Sequence, residues 1–184
     1  MEVRTRTDAD LDGCIRLAEI VHVNDGYPVY LPGDLRSFLV RPAAIASWVA
    51  DREGDIVGHV ALHSSSSDGV IALAVEKTGV APSQLGVVAR LLVAPGVRRL
   101  GVGRSLLYAA AGHAARMGLW PILDVVTHHE GAIRLYDTCG WVRVGMVTST
   151  FGEGLSVDEF VYLGPRPPLG LQSAEAAGPT PLDT

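Results

Sequence analysis

Apolar residues recur at intervals of three and four early in the chain, at Leu11, Cys14, Ile15, Ala18 and Val21. That spacing lines one side of a helix and predicts an α-helix over residues 7–21, with Thr7 at its cap. Residues 24–33 break the pattern with turn formers but carry Tyr27 and Tyr30, which predicts a loop that is either a binding wall or a cover over the core. A short helix over 34–38 follows. Two runs of β-forming residues, 46–51 and 56–63, flank the polar stretch Arg52-Glu53-Gly54-Asp55 and predict a hairpin. Residues 64–67 are polar and of low complexity, and 68–84 read as an irregular or partly helical insertion. An apolar strand over 87–93 precedes a helix over 102–117 whose Leu106, Leu107, Ala110, Ala114 and Met117 share one face. A strand over 121–126 comes next. Thr127 and Glu130 then have the spacing of a capping box, which starts a helix reaching Cys139, with Gly140 at its end. Two strands, 141–147 and 157–163, close the pattern as an antiparallel pair. Residues 164–184 hold five of the eleven prolines and almost no large apolar side chains, which predicts a flexible tail.

The chemistry concentrates where the strand over 87–93 meets its helix. The run Leu91-Leu92-Val93-Ala94-Pro95-Gly96-Val97-Arg98-Arg99-Leu100-Gly101-Val102-Gly103-Arg104 reads as strand, glycine-bearing turn and helix start. Such a turn aims several main-chain N–H groups at one spot, and the first turn of the helix adds its unpaired donors and positive dipole end. Arg98, Arg99 and Arg104 add full charges, so the segment is a candidate cradle for a diphosphate. A nucleoside-triphosphate loop is excluded, because Val102-Gly103 stand where Lys and Ser or Thr are required. A dinucleotide fingerprint is also poor, since its third glycine position holds Leu106.

Composition changes the picture in a few respects. A chain of 184 residues with 48% hydrophobic and 19% charged positions fits one globular domain with a single core. The net charge of −5 argues against nucleic acid as a partner, while a local basic cluster in an acidic protein suits a small anionic ligand. The first residues are polar and no apolar run approaches the ~18 residues of a membrane span, so the expected location is the cytoplasm, with no membrane partner. Cys14 and Cys139 fall on apolar helix faces and read as buried thiols. His128 and His129 are adjacent, so their side chains diverge on a helix, and no third ligand has matching spacing; no metal is expected.

The remaining pattern, Arg98-x-x-Gly101-x-Gly103 after Leu-Leu-Val-x-Pro, resembles the acyl-CoA-binding motif of the GNAT superfamily of N-acyltransferases. A second stretch, His129-x-x-Ala132-x-x-Leu135-Tyr136-x-x-x-Gly140-Trp141, resembles the Asn-x-x-Ala-x-x-Leu-Tyr-x-x-x-Gly-Phe motif of its ribosomal-protein and protein N-terminal acetyltransferases. The resemblance implies an α/β (α+β) fold over 1–163, with a mixed, mostly antiparallel central sheet of six to seven strands flanked by helices. It implies acetyl-CoA as co-substrate and transfer of its acetyl group to a primary amine of a protein or a small molecule; a homodimer is left open. Leu91, Leu92 and Val93 are then expected to hold the pantetheine arm through main chain, with the Val93 N–H facing the thioester oxygen. The diphosphate is expected on the N–H groups of Arg99, Leu100, Gly101, Val102, Gly103 and Arg104, beside Arg98. Tyr136 takes the position of a tyrosine near the sulfur, and Asp124 that of an acidic base. His129 replaces an asparagine that contacts the arm, which an imidazole imitates only in part. Tyr27 and Tyr30 are candidates for the acceptor wall. The alternative of another class is a non-catalytic acyl-CoA sensor, in which Tyr136 and Asp124 are idle.

Overall fold

The computed structural model describes residues 1–29, 33–151 and 154–166. Seven strands form one sheet: β1 (Glu2–Thr5), β2 (Ala44–Arg52), β3 (Asp55–His63), β4 (Leu85–Val93), β5 (Trp120–Val126), β6 (Val142–Phe151) and β7 (Leu155–Leu163). Among the described residues five α-helices flank it: α1 (Leu11–Asp25), α2 (Leu35–Leu39), α3 (Asp68–Thr78), α4 (Val102–Arg116) and α5 (Glu130–Thr138). The sheet order is β1-β2-β3-β4-β5-β7-β6, and β4–β5 is its one parallel pair. The expected mixed, mostly antiparallel sheet is therefore present, at the upper end of its strand count.

Side-chain alternation assigns the two faces. On β5, Leu123 and Val125 join the core beneath α4 and α5, with Leu106, Leu107, Ala110 and Tyr162. Ile122 points the other way and packs with Val70 and Ala74 of α3. Helix α1 covers the neighbouring part of that second face through Cys14, Leu17 and Val21, against Val49 and Leu92. Both cysteines are buried and free, as expected. Asp124 shares the face of Ile122, which carries it away from the larger core.

Several local expectations are corrected. The strand β1 escaped the sequence pattern because it has only four residues; it pairs antiparallel with β2 from Glu2 opposite Asp51 to Thr5 opposite Trp48. The first helix starts later than residue 7, after a 3-10 turn over Asp8–Asp10, and Thr7 donates rather than accepts: its N–H and hydroxyl reach Asp10 Oδ2 at 2.7 and 2.9 Å. Of the two readings of 68–84, the partly helical one holds: it carries helix α3, whose Val70 and Ala74 are fully buried. Thr127 does not cap α5. Its N–H bonds the Asp158 carbonyl at 3.0 Å, prolonging the sheet contact, so the cap falls at His129 and Glu130 opens the helix. The closing hairpin runs further than expected, to Phe151 and from Leu155. Most of the tail expected over 164–184 lies outside the described residues. Among those described, no helix is long and apolar enough to cross a membrane.

Close approach of α4 to β3 depends on Gly58. A Cβ there would stand 2.7 Å from Leu106 Cδ1 and 3.1 Å from both Ala50 Cβ and Val102 Cγ1. Leu106 is fully buried within the core under α4. Gly58→Ala is expected to destabilise the fold by about 1–3 kcal/mol through overpacking. Urea denaturation checks this, and an unshifted midpoint would mean that α4 has slack against the sheet.

Candidate active site

The site begins where the sheet comes apart. β4 and β5 pair only from Leu85 opposite Trp120 to Val87 opposite Ile122, and beyond that point the strands diverge. On the other side of β4 the register slips: Ala61 faces Ala89, but His59 faces Leu92. Two residues, Arg90 and Leu91, thus oppose Val60 alone, which is a β-bulge, and Arg90 takes the left-handed backbone at φ 53°. The bulge is secured by His59, fully buried, whose Nδ1 donates to the Arg90 carbonyl at 3.1 Å. Burial pushes the His59 imidazole down to about 4, so it stays neutral. Beyond the bulge, Ala94 N–H bonds Val57 O of β3 at 2.9 Å. Strand donors alternate in direction, so the Val93 N–H faces the gap between β4 and β5, where the sequence analysis expects a thioester oxygen.

At the end of β4 a 3-10 turn over Pro95–Val97 leads into α4, whose cap is Gly101 at φ 87°. That left-handed conformation is free for glycine and strained for other residues. No atom lies within 4 Å of where a Gly101 Cβ would be, so a ligand can come up to the backbone there. The first helical bond runs from Ser105 N to Gly101 O, which leaves the N–H groups of Val102, Gly103 and Arg104 without intrahelical partners. Gly103 lets α4 approach α5: a Cβ would stand 3.1 Å from Leu135 Cδ2. The side chains divide by role. Arg99 and Arg104 are exposed and line the cleft, whereas Leu100 projects to solvent and Val102 enters the core. Arg98 is engaged within the protein, its Nε donating to Val93 O at 3.2 Å and its guanidinium paired with the Asp25 carboxylate. Leu91 and Val93 line the cleft, while Leu92 is buried under α1.

The cleft holds about 1500 Å³ and runs from this turn through the strand gap to the opposite sheet face. Tyr136 reaches it from α5, its ring set 5.7 Å from Tyr162 and 6.2 Å from Trp141. Among the described residues nothing hydrogen-bonds the Tyr136 hydroxyl, and burial pushes its pKa upward, so the phenol remains a proton donor. Asp124 accepts from Ser66 Oγ at 3.0 Å, and burial raises its carboxyl above the ordinary range. Glu159, missed by sequence reasoning, lines the same cleft from β7. It faces Val126 across the β5–β7 ladder while Asp124 faces Val161, which makes the two carboxylates diagonal neighbours on one face. Glu159 is 5% exposed, accepts from Ser149 Oγ, and is pushed up to about 7 by burial and by Asp124. A signal for it existed: Val157, Glu159, Val161 and Leu163 alternate on the inward face of their strand.

Tyr27 forms part of the wall, its ring edge-on to Phe38 at 6.5 Å and to His129 at 5.7 Å, with its phenol pushed up to about 12 by burial. Tyr30 lies outside the described residues. His129 is half-buried at the start of α5; burial and then His128 lower its pKa, and its Nε2 is enclosed without a partner. A buried nitrogen lacking a partner in the cleft is what a ligand contact there would satisfy. His63 is buried and lies 3.0 Å from Arg90 Nη1.

Fold and cleft together agree with the family that the motifs resemble. The model of the acetyltransferase (GNAT) family matches residues 15–141, and the chain belongs to that family. No curated protein matches it in sequence. Among solved structures, a ribosomal-protein-alanine N-acetyltransferase from Brucella melitensis aligns with TM-score 0.66 at 19% identity over 89% of this chain and 98% of its own. An N-acetyltransferase from Staphylococcus aureus aligns with TM-score 0.67 at 16% identity, covering 93% of this chain and 98% of that one. Arabidopsis thaliana NAA60 in complex with acetyl-CoA aligns with TM-score 0.62 at 19% identity, covering 88% and 97%. At these identities the likeness is one of fold.

The Glu159 environment has a consequence for stability. Its ordinary value is 4.5 and the folded protein holds it near 7, so its contribution is fully present below 4.5 and lost as pH rises through about 7. Glu159→Gln stays neutral and is expected to gain stability over wild type between about pH 5 and about pH 8. Denaturation curves at both values check this; a difference that does not change with pH would place Glu159 in water.

Proposed function

We propose that the protein moves the acetyl group of acetyl-CoA directly to a primary amine, with both substrates bound together in the cleft. The observation that carries this reading is the continuity of one cleft from the glycine turn, past the free edge of β4, to Asp124, Glu159 and Tyr136. The diphosphate is assigned to the N–H groups from Arg99 to Arg104, with Arg99 and Arg104 as outer charges. The pantetheine arm is assigned to the β4 edge at Leu91, Leu92 and Val93, with the unpartnered Nε2 of His129 beside it.

The chemistry then follows from the groups at the gap. The amine nitrogen bonds to the thioester carbonyl carbon as the carbon–sulfur bond breaks, and the Val93 N–H holds the carbonyl oxygen. Asp124 accepts the proton released by nitrogen, and Glu159 beside it supplies a second acceptor poised near neutrality. Tyr136 donates toward the departing thiolate and is reprotonated from solvent. Transfer needs no covalent enzyme intermediate, because no nucleophile on the protein takes part. Two of the proteins of like fold are a ribosomal-protein-alanine N-acetyltransferase and NAA60 in complex with acetyl-CoA, which supports an amine acceptor and this co-substrate.

Two measurements test the reading. Saturating acetyl-CoA is expected to raise Tm by roughly 5–10 °C at 100-fold above Kd, and Gly101→Val, which strains the cap and fills the approach, to abolish the rise. A shift surviving that change would move the diphosphate elsewhere. Free-thiol release across a panel of amines is expected in wild type, with kcat reduced about 100-fold by Asp124→Asn and about 10- to 100-fold by Tyr136→Phe at little change in KM for acetyl-CoA. Tight acetyl-CoA binding with no release from any amine would favour a sensor over an enzyme.

A further inference from the structure

The acceptor end of the cleft is not uniformly acidic. Arg90 leaves the β4 bulge half-buried, with its guanidinium 4.5 Å over the Phe38 ring and Nη1 3.0 Å from the His63 imidazole. His63 is pushed down to about 4 by burial, then by Arg90 and Arg41, so it is neutral and leaves the guanidinium charge uncompensated. Among the described residues no carboxylate stands within ion-pairing distance of Arg90. Its Nε is enclosed without a partner, and its Nη2, which makes no hydrogen bond to a described residue, stays open. Arg41 lines the same end of the cleft and is exposed. A half-buried cation without a counterion is costly, and a bound anion removes that cost.

We infer that the acceptor is an amine carrying its own carboxylate, an amino acid bound with its nitrogen toward Asp124 and Glu159 and its carboxylate toward Arg90 and Arg41. This rests on the acetyl-transfer reading above. A polyamine would set a second ammonium against two arginines, and a peptide N-terminus would offer only a neutral carbonyl to Arg90. The zwitterion matches both ends of the cleft. Phe38 and His63 fix the guanidinium plane, so Arg90 acts as a preorganised specificity residue rather than a mobile surface charge.

The test is free-thiol release from acetyl-CoA over the amino acids, each measured beside its C-terminal amide. A charge-assisted contact predicts that the best acid exceeds its amide roughly 10- to 100-fold in kcat/KM, mostly through KM. In Arg90→Met the acid-to-amide ratio is expected to fall toward one, and in Arg41→Met, an exposed change that leaves the bulge intact, to fall several-fold. Equal turnover of acids and amides by wild type, or a ratio unchanged in both variants, overturns the carboxylate assignment while acetyl transfer stands. Turnover of diamines with none of any acid overturns it likewise. Absence of release from every amine overturns acetyl transfer and this inference together.

Discussion

Three residue pairs hold β4 to β5, and the cleft opens where that pairing stops. A parallel pair inside a sheet is ordinarily bonded along its length, because unpaired main-chain groups in a protein interior are costly. Here the next residues of β4 enter the bulge at Arg90, whose left-handed backbone costs on the order of 1–2 kcal/mol. The strain persists because the surroundings leave no alternative: His59 holds the Arg90 carbonyl, and the leucines and valines on either face are locked in two cores. The edge of β4 beyond Val87 is then a row of donors and acceptors without partners on β5, the kind of edge to which an extended ligand adds as a strand.

A gap between strands is useful only if its walls do not drift, and the contacts across it explain why they do not. Asp25, at the end of α1, pairs with Arg98, which also holds the Val93 carbonyl. One arginine thereby ties the helix on one face to the glycine turn and to the strand edge. Two residues beyond Asp25, Tyr27 meets His129 at the start of α5, closing a bridge from α1 to the opposite helix layer. The motif arginine thus serves the cradle by positioning it, and the main chain and the exposed Arg99 and Arg104 are left for the ligand.

Local chemistry was legible in the sequence, and cross-strand geometry was not. The glycine turn announced itself because the glycines, the preceding apolar strand and the following helix are contiguous. Tyr136 and Asp124, which both line the cleft, could be singled out because a motif and a lone charge in an apolar run mark their positions. Glu159 and Arg90 carry as much of the site, yet each becomes meaningful only through partners far along the chain: Asp124 and Ser149 for one, Phe38 and His63 for the other. The capping box at Thr127 failed for a related reason. Its spacing was correct, but pairing with Asp158 on β7 kept Thr127 in the sheet and moved the helix start to Glu130. Helix α3 was obscured because it is short and rich in alanine and valine, and its burial is decided by β6 and β7, which lie far ahead in sequence.

The charge layout turns on where water is absent. Asp124 and Glu159 share one face; burial disfavours ionisation of both, and the charge of Asp124 adds to that for Glu159. Arg90 lies close enough for Asp124 to sense its charge but too far to pair with it. Were they joined in a salt bridge, the carboxyl would be held low and would be a poor base, and the guanidinium would have no affinity left for a ligand. Their separation leaves each with a neutral partner, Ser66 for Asp124 and His63 for Arg90, and under the proposed reading both remain open to the acceptor. If the proposed reading holds, a residue that shortened that distance, or a carboxylate introduced beside Phe38, would stabilise the protein at the expense of turnover of an amine.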